Sequence, residues 1–332
     1  MTDVRLSRSI GAITAIGLLI FAQGTAAEEV DSAQYGVAPG GMPLGVALDK
    51  GFFKEFGADI DAVRSSPGGG TDIRMLLGGD LPYAESSLGG FIAAVKNGAD
   101  LKIVSEPVHT VSEVLWVAMP NTTITSLKDL KGKRISFSNP QSTTQALDFL
   151  LVEAAGYKQD EVKLTATGGF AQGLTALENG GVDLAVIAEP MFTLSKGRYK
   201  PVFWASDVFP PINNVVGVSS TKTIREKPEL LRGIIAGRRK AVQFMRSNRA
   251  ESVPIIAKAY KTDPAVIAAI VDHMLDHGSV NGVPYWGEGD LNYEDLNNMV
   301  KAMRLVGIIQ GEVDWTKIVD ESFLPDDLKS KK

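Results

Sequence analysis

An α/β fold of two lobes is what this sequence predicts, and three observations predict it. Short apolar runs alternate with helical periodicities along most of the chain, the pattern of a mostly parallel sheet covered by helices. At 332 residues the chain exceeds one ordinary domain. One supersecondary unit also occurs twice. Its first copy spans Ala62 to Ser87: a strand end, the loop Pro67-Gly68-Gly69-Gly70, a helix carried by Ile73, Met75, Leu76 and Leu77, a Gly78-Gly79 turn, and a short strand stopping on Ser86-Ser87. The second opens at Gly168-Gly169-Phe170, runs through a helix to Glu178, turns at Asn179-Gly180-Gly181, and follows Val182 to Ile187 to a stop at Glu189-Pro190. Two lobes facing one ligand would produce such a repeat, although any two βαβ units share the plan.

The elements follow in order. Arg5 and Arg8, the apolar run Ile10 to Ala22 and the small residues Thr25-Ala26-Ala27 read as a secretory signal over residues 1–27. The run is short for a membrane span, and Glu28, Glu29 and Asp31 follow at once. With no cysteine at the cleavage site, a lipid anchor of the bacterial type is not expected. Ala33 to Val37 is expected as a strand, Leu44 to Lys50 as a helix, and Asp59 to Val63 as the next strand. Thr71 or Asp72 can cap the helix of the first repeat unit. Tyr83 to Ser86 and Leu101 to Val104 are strands flanking a helix around Phe91 to Lys96. In such a sheet, ligands lie beyond the carboxyl ends of the strands, where Ala38–Met42, Ser65–Thr71 and Ser86–Gly90 would converge.

Val114 to Ala118 leaves the first lobe, and Ile135 to Phe137 opens the second. The hydroxyl-rich loop Ser138-Asn139-Pro140-Gln141-Ser142-Thr143-Thr144 precedes a helix from Gln145 to Ala155 and exceeds what one cap requires. Val162 to Thr165 is the next strand. Pro201 to Trp204 and Val215 to Ser219 are strands, the second returning the chain to the first lobe. Helices over Pro228–Ser247, Val253–Tyr260, Pro264–Leu275 and Tyr293–Val306 follow, interrupted by a non-helical stretch, Ser279 to Asp290. Trp315 to Leu328 reads as a docked tail.

Composition narrows the function. Usage is ordinary for a globular protein, with 44% hydrophobic and 22% charged residues, and a net charge of −5 argues against a nucleic-acid surface. The absence of cysteine removes disulfides, thiolate metal sites and a Cys nucleophile. His273 and His277 lie four apart, but the His-Glu-x-x-His of a zinc protease is missing, and a helix end near Gly278 explains them. No Gly-x-Ser-x-Gly elbow is present, and His109 has no evident Ser and Asp partners.

Taken in order, these segments resemble the nitrate/sulfonate/thiamine-precursor group of periplasmic solute-binding proteins of ABC transporters. The carrying residues are Pro43, then Asp49-Lys50-Gly51-Phe52-Phe53-Lys54-x-Phe56-Gly57-Ala58-Asp59-Ile60, Gly68-Gly69-Gly70-Thr71, and Leu76-Leu77-Gly78-Gly79-Asp80. Leu127-Lys128-Asp129-Leu130-Lys131-Gly132-Lys133, Asn179-Gly180-Gly181-Val182-Asp183, Ala188-Glu189-Pro190 and Gly307-Ile308-Ile309 continue it. The resemblance implies a type II periplasmic-binding-protein fold: a first lobe of residues 28–113 and 217–332, a second of 114–216, two hinge strands, and a ligand cleft that closes.

Where the loops align, the resemblance implies ligand contacts at Gly41, Met42, Gly69, Gly70, Thr71, Ser86 and Ser87 of the first lobe. In the second lobe it implies Ser142, Thr143, Phe170 and Glu189. The family often has tryptophan before that acidic residue; here Ala188 stands there. Asp80 and Asp183 read as turn residues, and Trp286 as an anchor of the irregular segment or else a cover for the cleft. Hydroxyls and helix starts favour an anion such as a sulfonate or carboxylate, whereas Glu189 favours an amine or protonated ring nitrogen; a zwitterion or a thiamine-type pyrimidine satisfies both. The expected protein is therefore a periplasmic monomer without cofactor, metal or catalytic residues. It would pass a small polar solute to an ABC permease and its ATPase, or report it to a receptor. Thiamine-pyrimidine synthases on the same fold carry a cysteine-rich motif that this chain lacks.

Overall fold

The strands of this chain fall into two sheets. A computed structural model describes residues 27–66, 70–79, 81–140 and 142–330. Residues 1–26 of the expected signal, Gly69 of the glycine loop, and Asp80 lie outside the described residues. In chain order the strands are β1 (Glu28–Ala33), β2 (Ile60–Ser66), β3 (Ala84–Ser87), β4 (Leu101–Val108), β5 (Val114–Ala118) and β6 (Arg134–Phe137). They continue with β7 (Lys163–Ala166), β8 (Leu184–Ala188), β9 (Lys200–Trp204), β10 (Val215–Ser220) and β11 (Trp286–Gly289). One sheet has the order β11-β4-β10-β3-β1-β2, the other β7-β6-β8-β5-β9.

Each sheet is parallel except at the strand that receives the chain from the other lobe and, in the first sheet, at the edge strand β11. β1 runs parallel to β2 and β3, while β10 is antiparallel to β3 and β4, and β11 to β4. In the second sheet β6 is parallel to β7 and β8, and β5 is antiparallel to β8 and β9. The two reversed strands inside the sheets, β5 and β10, are the ones that receive the chain after each crossing. This is the two-lobed, type II periplasmic-binding-protein fold.

The helix Pro228–Ser247 shows why the first lobe holds together. Leu231, Ile234, Ile235, Val242 and Met245 recur at helical spacing and are all buried, against Phe53, Tyr285 and Trp286. Each such side chain contributes roughly 1.5–3 kcal/mol on burial. A second apolar cluster runs through both lobes. It joins Leu88 and Phe91 to Trp116, Leu147 and Leu151 through Met299 and Met303 of the helix Tyr293–Leu305.

Two local expectations need correcting, and a third gains detail. The first strand is Glu28–Ala33 and not Ala33–Val37, because Gln34 takes a left-handed φ of 58° and Val37 N–H donates back to the Gln34 carbonyl at 2.9 Å. Neither Thr71 nor Asp72 caps the helix Thr71–Gly78; its N-cap is Gly70, at φ 83°, with no side-chain cap bond. The stretch 279–290 holds a short strand, β11, added antiparallel to the edge of β4.

Candidate functional site

At the carboxyl ends of β1, β2 and β3, the first lobe gathers a set of buried polar groups. In-register parallel partners point to the same face, so Asp31, paired with Ala84, and Ser66, paired with Ala33, share the face that carries Ser86 two residues beyond Ala84. Ser66 Oγ donates to Asp31 Oδ2 at 2.8 Å. Two helices begin over this face. Ser87 caps the helix Leu88–Lys96, its Oγ accepting from Gly90 N at 3.3 Å. A Cβ at Gly90 would lie 3.0 Å from Ser87 Oγ, 3.8 Å from Gly70 N and 3.9 Å from Ser86 Oγ, so the two helix starts touch here. Asp31, Ser66, Asp72 and Ser86 are all buried. Burial pushes the Asp31 carboxyl up to about 6, against the Ser66 bond that lowers it, with Asp72 and Glu85 pushing it further up.

On the opposite face of the same strands, Ser32 Oγ donates to Glu85 Oε2 at 3.3 Å. Arg238 neutralises Glu85 through Nε at 2.5 Å and spends its other nitrogens on the Gly287 and Pro107 carbonyls. A Cβ at Gly41 would stand 2.6 Å from Ser32 Oγ, and Met42 opens the helix Met42–Asp49 with its side chain in the core.

In the second lobe, Ser142 caps the helix Thr143–Ala154 by accepting from Gln145 N at 3.2 Å. Ser138, Ser142 and Thr144 hydroxyls bond one another at 2.8 and 2.9 Å, joining the loop after β6 to the helix start. Phe170, half-buried, opens the helix Phe170–Glu178 and packs between two apolar clusters. Glu189 follows β8. Its Oε2 accepts from Thr193 N at 3.1 Å and its Oε1 from Thr193 Oγ1 at 3.0 Å, closing the turn Met191–Leu194, and burial raises its carboxyl.

Residues 109–113 and 212–214 join the lobes. Burial pushes the Glu113 carboxyl up to about 8, although Tyr285 bonds it. Asn214 Nδ2 donates to Glu113 Oε1, tying one crossing to the other. Below, His109 Nδ1 sits 3.1 Å from Asp295 and 3.3 Å from Glu106, and its Nε2 3.5 Å from Asp290. Asn213 Nδ2 donates to Glu106 Oε1 at 2.6 Å.

With this geometry in place, comparison with known proteins becomes informative. Residues 38–252 match the family described as NMT1/THI5 like. The chain belongs to the NMT1/THI5-like family. A curated relative from Escherichia coli (strain K12), named as an aliphatic sulfonates-binding protein, is 28% identical over 188 residues, 55% of this chain. The match spans 56% of that relative, about half its length. The crystal structure of the periplasmic aliphatic sulphonate binding protein SsuA from Escherichia coli is similar at a TM-score of 0.71 and 20% identity, over 88% of this chain and 96% of that one. The desulfurization enzyme DSZB is similar at 0.63 and 14% identity, over 90% of this chain and 97% of that one.

Within this NMT1/THI5-like chain, Gly70, Thr71, Ser86 and Ser87 come together at the two helix starts of the first lobe, and Gly41 and Met42 lie on the other face of β1. Ser142 and Thr143 sit at a helix start of the second lobe, while Glu189 and Phe170 follow β8 and β7. Asp183 serves a turn, accepting from Arg134 N at 2.8 Å and from its guanidinium at 2.7 Å. Trp286 is a core anchor, its Nε1 donating to the Pro39 carbonyl at 3.1 Å. The reading of the sequence included Ser66 only within the loop Ser65–Thr71 and passed over Asp31 and Glu113. The available signal was a polar pair, Asp31-Ser32, in a strand that also carries buried Val30.

Proposed function

We propose that this protein is the solute-capturing component of an ABC importer. It works in the periplasm as a monomer after loss of residues 1–27, without a lipid anchor. The observation that carries this reading is the arrangement of strand ends. Polar loops after β1–β3 and after β6–β8 belong to separate lobes that are joined through crossing strands and packed helices. A solute held between them binds the closed arrangement better than the open one, and that difference is what a permease can recognise. The lobes are read as residues 28–113 with 217–332, and 114–216. Contacts are assigned to Gly41, Met42, Gly69, Gly70, Thr71, Ser86, Ser87, Ser142, Thr143, Phe170 and Glu189. The names of the sulfonate-binding relative and the sulphonate-binding structure support a small polar organic solute as cargo.

A thermal-shift panel of sulfonates, carboxylates, nitrate, zwitterions and aminopyrimidines tests this on protein lacking residues 1–27. A ligand at 100 times its Kd adds about 2.7 kcal/mol. At roughly 2–4 °C per kcal/mol, that is a shift of several degrees. The stabilising compound should be recovered intact by mass spectrometry. Steady conversion to a product would overturn the reading in favour of an enzyme, a use to which DSZB shows this fold can be put.

A further inference from the structure

The first-lobe half of the cleft contains more hydrogen-bond acceptors than the protein satisfies. Among the described residues, Asp31 Oδ1, both carboxylate oxygens of Asp72, and Ser86 Oγ have no hydrogen-bond partner, and the three side chains are at most 1% exposed. They belong to one place. Asp31 and Ser86 share a face of the sheet, Asp72 stands two residues beyond Gly70 at the helix start above them, and Gly70 N and Ser86 Oγ both border Gly90. Native interiors seldom leave buried polar atoms unpaired, least of all carboxylates, so this group is matched to something that donates.

The nearby cations are otherwise engaged. Arg64, on the same face as Asp31, pairs with Glu29. Arg74 is exposed and donates to Thr71 Oγ1 at 2.8 Å. Arg238 serves Glu85 on the opposite face. Asp72 lies near the positive end of a helix, but neither of its oxygens meets a backbone N–H among the described residues, so it is not consumed as a cap. Asp31 lies on a strand and has no such support.

We infer that this group of acceptors receives the protonated amino group of the solute, an ammonium whose N–H bonds end on Asp31, Asp72 and Ser86. This rests on the reading of the chain as a solute-binding protein and narrows it to amine-bearing solutes. An ammonium supplies three donors and one positive charge, which fits acceptors of this kind converging from a strand and two helix starts. It also fits Asp31, whose proton affinity is raised by burial beside Asp72 and which a bound cation would hold ionised.

The test uses the protein lacking residues 1–27, stripped of ligand by refolding, with Asp31→Asn and Asp72→Asn as variants. The small probe is methylammonium chloride, compared at equal ionic strength with sodium chloride and tetramethylammonium chloride, whose cation has no N–H. Methylammonium alone should raise the melting temperature of the unsubstituted protein and should have no such effect on either variant. An equal response to sodium, or to tetramethylammonium, would overturn the inference by showing a general cation or salt effect.

A second arm compares amine-bearing with amine-free acids by calorimetry. Amine-bearing compounds should bind, and each Asn variant should weaken them at least tenfold. If an amine-free acid binds the variants as tightly as the unsubstituted protein, the amine assignment falls while the solute-binding reading stands. If chemical conversion accompanies binding of an amine that needs Asp31 and Asp72, the inference survives and the solute-binding reading falls.

Discussion

Burial without a cationic partner keeps the Glu113 carboxyl protonated at neutral pH, and the consequence has a definite sign. Its ordinary value is 4.5 and its value in the fold is about 8. A carboxyl raised in this way contributes stability that is fully present below 4.5 and is lost as pH rises through 8. Glu113→Gln keeps the shape and the acceptor for Asn214 but cannot ionise. It should therefore match the natural protein near pH 4.5 and exceed it above pH 8 by up to about 5 kcal/mol, the rise from 4.5 to about 8 taken at 1.36 kcal/mol per pKa unit. Urea melts across pH 4.5 to 9 check this; parallel curves for the two proteins would refute it. Burial pushes His109 down, but Glu106, Asp290 and Asp295 outweigh this and hold it well above its ordinary range. Its contribution is thus also fully present below 6.5 and lost toward alkali. Residues of this kind were the hardest to read from sequence. Asp31, Asp72 and Glu113 each sit in a short run whose polarity suggests exposure, and only pairing between distant strands reveals that they are buried.

Elements were more legible because their signals are local. Glycine turns and apolar spacing place the helices Phe170–Glu178 and Pro228–Ser247 within a residue of their ends. The repeated unit does correspond to one βαβ segment in each sheet. What the pattern cannot show is which strands reverse. β10 is antiparallel to both neighbours, and its Gly217 marks how closely they approach. A Cβ there would come 2.1 Å from Ser105 Oγ and 2.4 Å from Tyr83 OH, which themselves bond at 3.1 Å. Gly217→Ala should cost about 1–3 kcal/mol, the usual scale of overpacking. Adding Ser105→Gly, which removes the nearer clash, should recover part of that loss in denaturant melts. A Gly217→Ala protein as stable as the natural one would mean that β10 does not lie between β3 and β4 as described.

At the scale of the molecule, the lobes meet on two sides besides the crossing strands. On one side, helix Tyr293–Leu305 lies against Thr143–Ala154, where Lys301 Nζ reaches Glu153 Oε1 at 3.3 Å. This exposed pair adds little by itself. On the other side, His273 of the helix Pro264–Asp276 lies 4.2 Å from the Trp204 ring at the end of β9, with Phe192 edge-on to Trp204 at 5.5 Å. Burial, with His277 adding to it and Asp207 opposing, holds His273 below its ordinary value of 6.5. A histidine lowered in this way supports the packed contact above pH 6.5, and that support is lost as pH falls through the lowered value. Opening the cleft would rehydrate the ring and let it charge more readily as the pH falls. Acidification below 6.5 should therefore weaken solute affinity by several-fold, and His273→Gln should flatten that dependence without changing affinity at pH 8 beyond about twofold, a shift of roughly 0.4 kcal/mol. Trp204 fluorescence provides a second readout, because a solute that closes the lobes presses the indole against the imidazole. Titrations at pH 5.5 and 8, with Trp204→Phe to identify the signal, would show whether the change in light and the change in affinity move together. An affinity independent of pH in the natural protein, with the Trp204 signal present throughout, would remove His273 from the closing contact.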